Sequence, residues 1–489
     1  MPNRRSKSQA PVRVGKNLSC QSWCETCSKA SSIGRISTTR PPLSSPDNLS
    51  PFTQLLPSLL ARACVTRFET MKLDDFKKAG HWPTLLAAFL YFDISFMAWV
   101  ALGPLIVYVA RDMNLAVNEK FTLVAIPVLA GALLRVPMGI LADIIGAKRT
   151  GVMAQLVVMT ATACVAYFGL PSKLAVELFG IVLGIGGASF AVALPQASRW
   201  YPPQYQGIVM GIAGAGNMGV VLDTLLAPTI AEHWGWQAVF GVLLIPMVMV
   251  LIYYILAAKD APGERKPISL KAYGGLLRDP DSRWFMFFYF ITFGGFVGLA
   301  NALPLYFSVQ YHVSGVAAGL LVALIVAFGS GFRPVGGLIA DRIGGIRSLS
   351  ILFGIVVAAY VVIAFMPEGP AAPAQAGWSL TDMPRIAWIS VLLFSIGVLA
   401  LGMGNGAVFQ LIPLRFRHEI GLMTGLVGCA GGIGGFFLAQ ALGTAKGMTG
   451  GFGAGFLFFG LLALLGFVGL AMVKVRWRTT WGAVSGARV

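Results

Sequence analysis

Charge is scarce in this sequence. Asp, Glu, Lys and Arg together make up 12% of 489 residues, about half the share of a typical soluble domain. Histidine is scarcer still. His81, His233, His312 and His418 are scattered in or near loops, which argues against a haem or a histidine-bound metal. There is no Walker-type loop and no H-E-x-x-H pair, so the chain does not read as an enzyme and calls for no cofactor. Strand-like alternation of polar and apolar residues is also missing. Helices rather than a barrel must therefore satisfy any backbone that lies in lipid.

Apolar residues, by contrast, make up 56% of the chain, and the mean hydropathy is +0.74. They fall in runs of roughly 20 to 25 residues, long enough to cross a hydrocarbon layer of about 30 Å. The 59 glycines suit helices that approach closely without a hydrophobic drive between them. The predicted spans are 84–110, 121–142, 150–170, 174–198, 206–230 and 236–258, then 284–308, 314–341, 347–366, 386–412, 419–442 and 452–473. The expected architecture is an all-α membrane protein of twelve helices in two six-helix halves, 71–258 and 284–475. A charged linker, 259–283, joins them, and a short tail, 476–489, follows. Residues 1–70 are polar, rich in Ser, Pro and Arg, and without periodicity. They read as a disordered or non-native extension, with Met71 as a natural start. No long apolar stretch makes them a signal peptide.

Six cysteines are present. Cys164 and Cys429 fall in apolar segments and read as packing residues. Cys20, Cys24, Cys27 and Cys64 lie in the N-terminal stretch. The C-x3-C-x2-C spacing of the first three resembles the cluster motif of radical SAM enzymes, yet no barrel pattern follows it, so chance is the better reading.

The net charge is +17, which could suggest nucleic acid. Ten Lys/Arg against three Asp/Glu in residues 1–70 supply part of it. Most of the other basic residues fall in loops on one side, among them Lys77, Lys148, Arg149, Arg199, Lys259, Arg278, Arg342, Arg415 and Arg476. The other side holds Arg111, Lys120, Lys173, Arg385 and Lys446. That asymmetry places both termini in the cytoplasm and excludes a nucleic-acid role. The partner is the lipid bilayer of a bacterial inner membrane, crossed many times.

The two halves repeat one motif. RVPMGILADIIGAKR begins at Arg135 and RPVGGLIADRIGGIR at Arg333. At one constant offset Arg135 matches Arg333, Gly139 matches Gly337 and Asp143 matches Asp341. A second repeat matches Gly207, Gly211 and Gly214 to Gly421, Gly425 and Gly428. Each arginine lies eight residues before its aspartate, about 12 Å deeper in the membrane. A buried arginine costs roughly 2.5–3.5 kcal/mol on insertion scales, so two of them need a reason. Guanidinium forks suit a small planar anion held between the halves. Pairing with buried carboxylates or carbonyls is the alternative. Gly at short intervals in the fifth and eleventh helices leaves smooth faces for close packing, sliding, or both.

The G-x-L-A-D-x-x-G-x-K-R stretch, Gly139 to Arg149, resembles the loop signature of the major facilitator superfamily. With the two arginines, GIAGAGNMG (Gly211–Gly219) and GLVGCAGGIGG (Gly425–Gly435) resemble the nitrate signatures of the nitrate/nitrite porter family. FDISFMAW, FGGFVG and GMGNGAVFQ also match, and the likeness runs from about residue 71 to 475. It implies the major facilitator fold and an anion clamped by Arg135 and Arg333. Asn217 then hydrogen-bonds the ion, Phe190, Tyr289 and Phe293 flank it, and Gly214, Gly216, Gly219, Gly431 and Gly432 border the site. The implied substrates are nitrate, with nitrite a further candidate. Asp143 and Asp341 read as gating residues, able to pair with basic groups or a helix N-terminus of the other half. Asp93 and Asp223 are candidate proton carriers, Asp93 the stronger, which favours proton symport over nitrate/nitrite exchange. A sensor that binds nitrate without moving it belongs to another class, and no signalling domain supports it. Function as a monomer is the default for a two-halved plan.

Overall fold

The computed structural model describes residues 73–202, 205–262, 270–370, 377–416 and 419–485. The expected extension 1–70, Met71, the basic residues Arg265, Lys266 and Arg417, and His418 lie outside the described residues.

Twelve helical segments among the described residues are long and apolar enough to cross a membrane. Spans 1 to 6 are Trp82–Met113, Val117–Ile145, Ala147–Phe168, Lys173–Ser198, Val209–Trp234 and Trp236–Ala257. Spans 7 to 12 are Pro280–Tyr311, Gly315–Ile343, Gly345–Ala364, Arg385–Arg415, Ile420–Thr449 and Gly453–Thr479. Span 7 starts earlier than the hydropathy suggests. Asp279 caps it by accepting from the backbone N–H groups of Asp281 and Ser282, and Pro280 fills the first turn. The linker also holds a short helix, Leu270–Arg278.

Enclosure differs by span. Spans 7 and 11 are 83% and 78% buried, whereas spans 3 and 6 are 33% buried. The outer spans carry exposed Leu156, Val157, Ile245, Met249 and Ile252, the apolar belt that lipid requires. Cys164, expected as a packing residue, lies exposed on span 3, while Cys429 is half-buried.

The halves meet along three seams: span 2 with span 11, span 5 with span 8, and span 1 with span 7. Small residues make the contact. A Cβ on Gly432 would lie 2.6 Å from Ala132 Cβ, one on Gly443 2.7 Å from Phe121 Cβ, and one on Gly319 2.6 Å from the Thr224 carbonyl. The seams are tight away from Asp143. Near Asp143 the halves part around a cleft.

Four spans are interrupted. Span 1 breaks at Ala101, span 4 at Ala188–Ser189, and span 8 at Phe332. Span 5, expected as one helix over 206–230, passes through a tighter 3-10 turn, Ala215–Met218. Irregular backbone at this depth is tolerated where it lines a cavity or is buried in protein.

Candidate functional site

Arg135 on span 2 is 1% exposed and Arg333 on span 8 is 8% exposed. The break in span 4 explains how Arg135 is held. Its first helix ends at Gly187 and its second starts at Phe190. The Ala191 N–H turns to the Ala188 carbonyl, which leaves the Gly187 carbonyl outside the helical ladder. That carbonyl accepts from Arg135 Nε at 3.1 Å. Arg135 Nη1 donates to the Gly428 carbonyl, and Nη2 is buried without a partner. Arg333 opens the second helix of span 8 after the break at Phe332. Its Nη2 donates to the Tyr289 hydroxyl at 3.2 Å, and its Nη1 is buried without a partner. Among the described residues no ion pair includes either arginine. Each guanidinium therefore keeps one unspent donor nitrogen and has no carboxylate to neutralise it.

Aromatic rings join the two. Arg135 Cζ lies 5.2 Å from the ring centres of Phe190 and Phe293 and 5.3 Å from Trp99. Arg333 Cζ lies 5.6 Å from Phe409. Phe409 touches Phe190 and Tyr289, with centres 6.0 and 5.2 Å apart. Tyr289 stacks on Phe293 at 5.1 Å and 4°. Ring faces stabilise a cation without discharging it, so the belt holds both charges while leaving them available to an anion.

Asn217 sits on the 3-10 turn of span 5, fully buried, with neither amide atom partnered. A Cβ on Gly214 would lie 3.9 Å from the Arg333 guanidinium, and Gly431 backs Tyr289 and Phe293. Gly216 and Gly219 face elsewhere. They press on span 1, where Cβ atoms would meet Phe92 and the Asp93 backbone. Gly432 faces span 2. The structure thus gathers Arg135, Arg333, Phe190, Tyr289, Phe293 and Gly214, and turns Gly216, Gly219 and Gly432 toward helix seams. Sequence reasoning missed Trp99 and Phe409. Both lie in the family-like stretches, but in a chain with 32 Phe and 11 Trp no local pattern selects them.

Asp93 on span 1 has a buried, unpartnered Oδ1, and a Cβ on Gly219 would lie 3.2 Å from it. It therefore rests against the end of the turn that carries Asn217. Asp223 lies one turn beyond Gly219, is 3% exposed and also has an unpartnered oxygen.

Asp143 departs from expectation. It accepts from Arg199 of its own half, Nη2 to Oδ1 2.6 Å, rather than from the other half. The end of span 4 brings Arg199 beside it, while the cleft separates it from span 11. Asp341 lies exposed at the matching end of span 8. The cleft is lined by Arg135, Gly139, Asp143, Arg199, Tyr273 and Gly425, among others. It reaches from Arg135 to the Asp143–Arg199 pair. Tyr273, from the linker helix, lies over Gly139, its hydroxyl 3.7 Å from where a Cβ would stand. Burial and the nearby Asp143 carboxylate raise the Tyr273 pKa above its ordinary value, so the hydroxyl stays neutral.

The sequence pattern of the Major Facilitator Superfamily matches residues 86–439. The chain is 30% identical over 384 residues to a protein of Bacillus subtilis named "Nitrite extrusion protein", covering 76% of this chain and 90% of that one. It is 30% identical over 379 residues to the "Probable nitrate transporter NarT" of Staphylococcus epidermidis, covering 76% and 92%. The same-named protein of Staphylococcus aureus strain JH9 is 29% identical over 393 residues, covering 80% and 95%. Twelve spans, two buried arginines at repeated positions and these likenesses agree: the chain belongs to the major facilitator superfamily and, within it, to the nitrate/nitrite porter family.

Proposed function

We propose that the protein is a secondary transporter that takes up nitrate, and nitrite as a second substrate, by proton symport across a bacterial inner membrane. The observation that carries this reading is the pair of buried guanidiniums. Each has an unspent donor and, among the described residues, no counter-ion, and a belt of rings joins them. A small planar anion supplies what both lack: negative charge and acceptor atoms in the guanidinium plane. The names of the relatives, nitrate transporter and nitrite extrusion protein, favour nitrate and nitrite over other planar anions.

The cycle follows from charge. Empty, the two cations repel and resist closure of the halves around them. An anion between them removes the repulsion, so the cleft near Asp143 can close and the opposite seams can part. Asp143 then becomes a latch toward the other half, and Asp341 serves the matching position. The abundance of basic residues at the cleft end makes that end, and both termini, cytoplasmic. The protein works as a monomer, since one chain holds both halves of the clamp.

Inward movement of one anion against a negative-inside potential costs about 2.3 kcal/mol per 100 mV. Two co-transported protons reverse the sign. Asp93 is the proton carrier, because its carboxylate abuts the turn that presents Asn217. Protonation there would shift that turn and so tie the anion to the proton. Asp223, buried one turn beyond Gly219, is the second acid. Exchange of nitrate for nitrite is the alternative, favoured by the name of the Bacillus subtilis relative. Purified protein in liposomes with a trapped pH dye separates the two. Symport predicts acidification on adding nitrate outside, lost in Asp93→Asn. Nitrate entry only with nitrite trapped inside, and no pH change, would make the protein an exchanger.

A further inference from the structure

A third internal repeat relates span 4 to span 10. Leu183, Gly184, Gly186 and Pro195 of span 4 match Leu401, Gly402, Gly404 and Pro413 of span 10 at one offset. Packing obeys the same match. Gly184 meets Gly131 of span 2, and Gly402 meets Gly329 of span 8. Gly186 meets Ser95 of span 1, and Gly404 meets Thr292 of span 7. Gly131 in turn meets Trp99, and Gly329 meets Phe296. The halves therefore pack alike around the two arginines, and among the positions that differ one bears on how each arginine is held. Gly187 of span 4, whose carbonyl holds Arg135, corresponds to Asn405 of span 10.

Two physical reasons accompany that exchange. A side chain at Gly187 would collide with the Trp99 indole, whose Nε1 would be 2.5 Å from the Cβ. The corresponding ring in the second half, Phe296, is smaller and leaves room. Span 4 also breaks just after Gly187, which frees that carbonyl, whereas span 10 runs as one helix, Arg385–Arg415. A continuous helix keeps its carbonyls for its own ladder. An arginine facing position 405 must find its acceptor in a side chain.

Asn405 is fully buried, and both Oδ1 and Nδ2 are without partners. It lies one turn from Phe409, the ring over Arg333, and its neighbour Gly406 packs on the Arg333 main chain. Arg333 Nη1 is likewise buried without a partner. A wholly unsatisfied buried amide is costly to keep. An apolar residue of similar size would serve packing better.

We propose that Asn405 is the positioning residue of Arg333. Its Oδ1 accepts from Arg333 Nη1 in the anion-bound state, as the Gly187 carbonyl accepts from Arg135. This inference rests on the anion-site reading above.

The test is thermal unfolding of the purified full chain in detergent, with sodium nitrate titrated against sodium chloride at constant ionic strength. In Asn405→Leu the ion-free midpoint holds or rises, because the orphaned amide is gone. The nitrate concentration that half-stabilises the protein rises roughly tenfold, the loss of about one charge-assisted hydrogen bond. Asn405→Ser, which keeps an acceptor, recovers part of the affinity and serves if the leucine variant does not fold. In an Arg333→Lys background, Asn405→Leu adds little further loss, because the residue acts through the arginine. Unchanged nitrate affinity in both Asn405 variants, while Arg333→Lys binds weakly, overturns the role of Asn405 alone. Equal nitrate affinity in Arg333→Lys and wild type overturns the anion site itself.

Discussion

A guanidinium buried against phenyl rings keeps its charge, and the rings' worth is small but cumulative. A desolvated cation–π contact contributes up to about 2 kcal/mol. Phe409 carries such a contact with Arg333 and also touches Phe190 and Tyr289. Phe409→Ala is therefore expected to weaken nitrate binding roughly five- to thirtyfold, measured by calorimetry on detergent-purified protein. Phe409→Tyr, which keeps the ring, should bind within a fewfold of wild type. Equal binding in the alanine variant would mean that the ring only packs. At this scale the sequence was legible where it repeated itself. Arg135 and Arg333 stand out because each precedes an aspartate by the same spacing. Trp99, Phe409 and Asn405 do not stand out. Their roles depend on which face of a helix meets an arginine from another span. Hydropathy of a segment carries no such information.

Elements were legible as crossings and illegible as continuous or broken. The apolar runs placed all twelve spans, since length and hydropathy alone decide whether a segment can cross lipid. The 3-10 turn at Ala215–Met218 escaped notice. Glycine-rich GAGNMG has weak helix preference, and the turn is settled by tertiary packing. There Gly216 and Gly219 draw the chain against Phe92 and Asp93 of span 1. The helix in the linker escaped notice for a related reason, as its nine residues are too few to declare a period. Glycine faces were legible as pattern, and the structure shows them in two conditions. Gly432 is pressed on span 2, whereas Gly211, Gly421 and Gly425 have nothing within 4 Å of an added Cβ. An added side chain at Gly425 meets open space and would obstruct the proposed closing of the cleft. Gly425→Leu should accordingly reach the membrane in normal amount with an unchanged melting midpoint, and its nitrate uptake should fall at least roughly tenfold. Normal uptake in that variant would show that this face never closes on a partner.

The described spans form two repeated halves, pressed together at Gly319, Gly432 and Gly443 and parted at the cleft near Asp143. The repeat was legible because it is written in residues at constant offsets. The parting was not, because which seam is closed is a property of the conformation and not of composition. The ion pair of Asp143 shows the same limit. The motif reads as a gating position, and here the partner of Asp143 is Arg199 of its own half. At the middle of the molecule, the proposed clamp sets two arginines from opposite halves around one planar anion. Isothermal titration of nitrate into wild type, Arg135→Lys and Arg333→Lys tests it most directly. Lysine keeps the charge and loses the fork. Saturable one-site binding is expected in wild type, with loss of at least roughly tenfold in affinity in each variant. Binding that survives both substitutions unchanged would contradict the clamp, and would leave two buried charges without a purpose.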